Sequence, residues 1–168
     1  MMKKSTIICL FITITILITN IEWIEVSAIS IPSIRQEKIL YVRQNTTGDC
    51  LSWETACDLQ TAIGLASSGD EIWVAAGVYK PTLENTREAT FQLKSGLAIY
   101  GGFPSEGGDW ASRDWETNIT TLSGDIGVED DSSDNSYHVV TSNYVEKSLI
   151  IDGFTICDGK ANGDNVEE

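Results

Sequence analysis

Hydrophobic and polar positions divide the chain into one helical stretch and many short strands. Ile29–Glu37 is a polar lead-in, and Lys38–Arg43 (KILYVR) has the β-branched and aromatic content of a strand. Asn45–Asp49 (NTTGD) is turn chemistry. After an N-cap at Ser52, the apolar residues Ala56, Leu59, Ile63 and Ala66 recur at helical spacing, which predicts one stripe on an amphipathic helix with Gly69 as its C-terminal stop. Glu71–Tyr79 (EIWVAAGVY) alternates two sets of residues that are both apolar or small. It therefore reads as a strand covered on both faces, stopped by Pro81, which cannot donate to a ladder.

No second helical period follows. The later strand candidates are Phe91–Leu93, Leu97–Tyr100, Thr120–Leu122, Tyr137–Thr141, Leu149–Ile151 and Phe154–Ile156, separated by Gly, Asp, Asn and Ser. Such a chain is all-β apart from one helix, and a sandwich, a barrel and a solenoid all accommodate it. The 25 residues from Val74 to Ile99 and the 23 from Ile99 to Leu122 suit solenoid coils, whereas later intervals are shorter.

The first 28 residues have a different pattern. Lys3 and Lys4 precede an uncharged run, Ser5–Thr19, and Val26-Ser27-Ala28 supplies small residues for signal peptidase. The run is shorter than the roughly 20 apolar residues of a spanning helix, so residues 1–28 are expected to be a cleaved signal peptide. The mature chain is then expected to begin at Ile29, to have no transmembrane span, and to be secreted or held at the cell surface. A lead-in at 29–37 and one domain over 38–168 follow.

Charge and cysteine usage narrow the partners. Among the 168 residues, 11 Lys and Arg face 25 Asp and Glu, for a net charge of −14, which disfavours nucleic acid and anionic membrane surfaces. One histidine and no CxxC or HExxH pattern leave little basis for zinc, haem or thioredoxin-like chemistry. Of the cysteines beyond the leader, Cys50 and Cys57 form the local disulfide option, and Cys157 reads as a buried small hydrophobe.

Site candidates are few. Asp125, Glu129, Asp130, Asp131 and Asp134 crowd one turn-rich segment, which reads as a solvated acidic loop, with a calcium site as the alternative. Trp110 and Trp115 offer flat apolar area with a polar N–H, suited to sugar rings, against packing across a long loop. Trp53 and Trp73 read as core. His138 reads as a satisfied structural histidine, and Asn45-Thr46-Thr47 and Asn118-Ile119-Thr120 are formal glycosylation sequons. No catalytic residue is assigned.

The run Ser52–Thr82, with GLAIYGGF (96–103), RDWETNITTLSGDI (113–126), DNSYHVV (134–140) and LIIDGFTICDGKANG (149–163), resembles the N-terminal portion of bacterial secreted right-handed parallel β-helix proteins of the pectin-lyase-like superfamily. The resemblance implies an all-β fold, a right-handed parallel β-helix whose first coil is capped by the helix carrying Ala56, Leu59, Ile63 and Ala66. Family members continue through many more coils, so the resemblance also implies a domain truncated at its C-terminus. Its functional implication is a surface segment, structural, adhesive or glycan-binding, with polysaccharide or a cell-surface glycan as partner and no catalysis of its own. The alternative is the N-terminal part of a polysaccharide lyase or other glycan-degrading enzyme. After Lys94 the basic residues Arg113, Lys147 and Lys160 match no lyase motif, so no catalytic role is carried over.

Overall fold

The computed structural model describes residues 36–162. The leader expected at 1–28 and the lead-in before Gln36 lie outside the described residues. Among the described residues the chain forms nine short strands and one α-helix: β1 Ile39–Val42, α1 Leu59–Leu65, β2 Glu71–Ala75, β3 Gly77–Tyr79, β4 Phe91–Leu93, β5 Ala98–Phe103, β6 Thr120–Ser123, β7 Val140–Ser142, β8 Ile150–Asp152 and β9 Thr155–Cys157. No helix among them is long and apolar enough to cross a membrane.

Every strand pairing is parallel. The first sheet has the order β1-β2-β5-β8, the second β3-β6-β9 and the third β4-β7. From β2 onward the chain visits the first, second and third sheets in turn, and then repeats that circuit. Parallel register stacks like on like. Leu40, Ile72, Ile99 and Ile151 form one inward file across the first sheet, and Tyr79, Leu122 and Ile156 another across the second. Leu40, Ile72 and Ile99 are almost fully buried, and Phe91 and Leu93 of the third sheet join the same core.

The strand expected over Glu71–Tyr79 is two strands. Ala76 N–H donates to Phe103 O at 2.8 Å and Gly77 N–H to Ile119 O at 3.1 Å, so the chain leaves the first sheet and enters the second within one residue. Both faces of β2 are covered, with Ile72 and Val74 inside and Trp73 half-buried outside, whereas Val78 of β3 is 44% exposed.

The helix is shorter than its stripe. Its N-cap is Asp58, whose Oδ1 accepts from Thr61 N–H at 2.9 Å, and not Ser52. A disulfide joins Cys50 to Cys57, with Cα atoms 4.8 Å apart. Cys57 also bridges Val42, which holds this loop against β1 and keeps it from winding into helix. Ser52 serves a local turn instead, its Oγ accepting from Thr55 N–H. The helix ends with Ala66 as its C-cap. Gly69, expected to be the stop, sits at φ +94° in the turn before β2. Leu59 and Ile63 bury one face against β1, β2 and β4, each contributing about 1.5–3 kcal/mol. Asp70, 1% exposed, ties this end together by accepting from the backbone N–H of Lys38 and Ser67.

Candidate functional site

The alternation that turns Leu40, Ile72 and Ile99 inward turns Tyr41, Trp73 and Tyr100 outward. Their register places these three aromatics in one row across the first sheet, with Asp152 of β8 next in line. Ring centroids of Tyr41 and Trp73 lie 5.9 Å apart. A register shift between β2 and β5 brings Phe103 opposite Ala75, and its buried ring stacks on Trp73 at 4.7 Å with an interplanar angle of 14°. Gly101 and Gly102 make this shift. A Cβ on Gly101 would lie 2.4 Å from Gly153 O, so a larger residue would push β5 from the following turn.

Two loops bring further rings to this face. The disulfide loop presents Trp53, 4.9 Å from Tyr41 and 5.6 Å from Phe103. Its indole N–H donates to Gly108 O at 2.8 Å, and Gly107, at φ +88°, lies so close that a Cβ there would sit 2.3 Å from the indole. The loop after β5 carries Trp110 on a single 3-10 turn capped by Asp109, whose Oδ1 accepts from Ser112 N–H. Trp110 packs edge-on against Tyr100 at 4.9 Å and lies 5.5 Å from Trp73. Asp114 accepts from the N–H groups of Glu116 and Thr117 and from the Thr117 hydroxyl, fixing the turn that follows Trp115. The Thr117 side chain, and then those backbone bonds, hold its carboxyl below the ordinary value.

Arg113 joins the two exposed indoles. Its guanidinium lies over Tyr100, Trp110 and Trp115 at 5.4, 5.2 and 5.7 Å. Its Nε donates to Gly101 O at 2.6 Å, and its Nη2 pairs with Asp152. Trp110 is 48% exposed and Trp115 58%. The result is a cluster of six contacting rings, Tyr41, Trp53, Trp73, Tyr100, Phe103 and Trp110, to which the open indole of Trp115 is joined through Arg113. Such a surface can stack on apolar ring faces while carboxylates and carbonyls at its margin accept from hydroxyls.

Trp53 and Trp73, expected in the core, are half-buried on this outer face, because strand alternation points Trp73 away from Ile72 and Val74. Tyr41, Tyr100 and Phe103 are not site candidates on sequence alone, and Arg113 enters there only as a basic residue that matches no lyase motif. A signal for the row exists: ILYV, EIWVA and AIYGGF each carry an aromatic at the third residue, and parallel pairing aligns those positions.

The acidic segment does not gather into one calcium site. Asp125 Oδ2 pairs with Lys80 Nζ at 3.3 Å, Asp131 Oδ1 accepts from Ser133 N–H, and Asp134 is buried with Oδ2 accepting from Val128 N–H. Glu129 and Asp130 are exposed. A lysine takes Asp125 and local backbone donors take Asp131 and Asp134, and among the described residues no group of three or more His, Cys, Asp or Glu is placed to hold a metal ion.

A separate cleft of about 750 Å³ opens over the second sheet, with Lys80, Thr121, Ser123, Asp125 and Asp158 along its lining. Asp158 Oδ2 accepts from Ser123 Oγ at 2.8 Å and from the Cys157 thiol. Cys157, expected to be buried, is only half-buried at the edge strand β9. Burial, then its bond to Asp158, pushes its thiol up, which keeps it protonated and weakly nucleophilic. His138, expected to be packed, is exposed just before β7. Of the sequon residues, Asn45 is exposed, whereas the half-buried Asn118 donates to Gly102 O at 3.1 Å.

Comparison of the chain with protein-family models, with curated proteins and with solved structures finds no match.

Proposed function

We propose that this chain is an exported segment of a right-handed parallel β-helix, at the cell surface or outside the cell, whose outer aromatic face binds glycans without catalysis. The repeated circuit of the chain through three parallel sheets, with helix α1 over one end, supports the solenoid reading. The observation that carries the function is the row Tyr41–Trp73–Tyr100 extended by the exposed Trp110 and Trp115. Rings fixed by packing from beneath lose little conformational freedom on binding, which favours them as recognition surfaces. Affinity electrophoresis through gels containing soluble polysaccharides tests it. Retardation of the wild type that is lost in Trp110→Ala/Trp115→Ala is the expected result. Unretarded migration in every polysaccharide would overturn the reading.

The second reading, a glycan-degrading enzyme, rests on the cleft over the second sheet. There Lys80 and Arg43 are the cations along the lining, paired with Asp125 and Glu106. A rise in unsaturated-uronide absorbance over a heat-killed control, with pectate, alginate or glycosaminoglycan plus calcium, would favour that reading over the first.

A further inference from the structure

Resting on the glycan-binding reading, we infer that the aromatic face selects uncharged glycans and rejects uronate-rich or sulfated ones. Two arginines flank the rings, and both are already committed. Arg43 pairs with Glu106 at 2.8 Å and donates from Nε to Ser105 O at 3.1 Å. Arg113 is held by Asp152, by Gly101 O and by three aromatic rings, and only 9% of its side chain is exposed. An incoming carboxylate or sulfate would have to displace one of these partners.

Carboxylates around the rings go beyond that neutralisation. Glu71 accepts from the Trp73 indole N–H at 2.8 Å, and Asp109 and Asp114 hold the loop that carries Trp110 and Trp115. With Glu106, Glu116 and Asp152 they outnumber the two guanidiniums, in a chain whose net charge is −14. A polyanion meets repulsion here, whereas the hydroxyls of a neutral sugar meet acceptors beside an apolar platform. Selectivity of this kind comes from disfavouring the wrong ligand as much as from contacts to the right one.

The test is affinity electrophoresis and titration calorimetry of the full chain against matched polymers. A β-glucan, a galactomannan and a xylan are each used neutral and carboxymethylated, at low and high salt. At least one neutral polymer is expected to bind with little salt dependence, and its carboxymethylated form on the order of tenfold more weakly at low salt, the gap closing as salt rises. Asp152→Asn, which releases the Arg113 guanidinium, is expected to narrow the gap while circular dichroism stays unchanged. Tighter binding of a carboxymethylated polymer at low salt, abolished by salt, would overturn the selectivity and leave the glycan reading standing. No binding of any of the six polymers would overturn both.

Discussion

Ile99 and Ile151 are register partners in neighbouring strands, yet Ile99 is 3% exposed and Ile151 39%. The same step occurs in the second sheet, from Leu122 at 3% to Ile156 at 50%. Apolar files therefore run out into solvent at β8 and β9, while α1 covers the core beside β1.

This asymmetry sets the energetic ranking of the files. Ile99→Ala removes a side chain packed from both sides and is expected to cost about 2–5 kcal/mol. Ile151→Ala is expected to cost about half of that or less, because water already reaches it. Urea unfolding midpoints of the two variants at unchanged slope check the order.

The Cys50–Cys57 loop links stability to the aromatic face. Opening a loop with a sequence separation of 7 is expected to cost about 2 kcal/mol in Cys50→Ser/Cys57→Ser. The same change loosens Trp53 from Gly107 and Tyr41. A lower melting temperature with a red shift in tryptophan emission is the expected outcome.

Asp70 is a buried acceptor for two backbone donors, Lys38 and Ser67. Asp70→Ala leaves those N–H groups unmatched, and about 1–3 kcal/mol of stability is expected to go with each. Hydrogen exchange at the two amides should accelerate more than exchange in β6, which locates the loss.

Acid sensitivity follows from Asp158. The thiol of Cys157 and then the hydroxyl of Ser123 hold its carboxyl below its ordinary value of 3.8, and Asp114 and Asp131 are lowered by their own turn donors. A carboxyl lowered in the folded state stabilises fully above the unfolded value, and that contribution is lost as pH falls through the folded one. Stability from these groups should therefore be level between pH 7 and about 5 and fall below about 4. Asp158→Asn should flatten part of that fall in pH-dependent melting.

Much of this architecture is legible in the sequence. The strands were located to within a few residues because Gly, Asp and Asn interrupt them so regularly, and the stripe of α1 was visible in Leu59, Ile63 and Ala66. The break at Ala76 was not, since an apolar run that passes from one sheet to the next looks the same as one continuous buried strand. The N-cap was misplaced for a related reason: Ser52 has the right chemistry, but a long-range bridge from Cys57 to Val42 decides the local conformation.

The face was half legible. Trp110 and Trp115 stand out alone in a polar loop. Tyr41, Trp73 and Tyr100 become one row only once the strands are set in register, and Arg113 acquires its role only when three rings surround it. The acidic segment left a solvated loop and a cation site both open, because density along the chain does not say which side chains meet in space.

The most direct measurement is the indole N–H spectrum of the chain titrated with an oligomer of the retained polysaccharide. Trp110 and Trp115 are predicted to shift most, and Trp53 and Trp73 least, since Gly108 and Glu71 already hold their N–H groups. Saturable shifts confined to other residues, with Trp110 and Trp115 unmoved, would contradict the assignment of this face as the binding site.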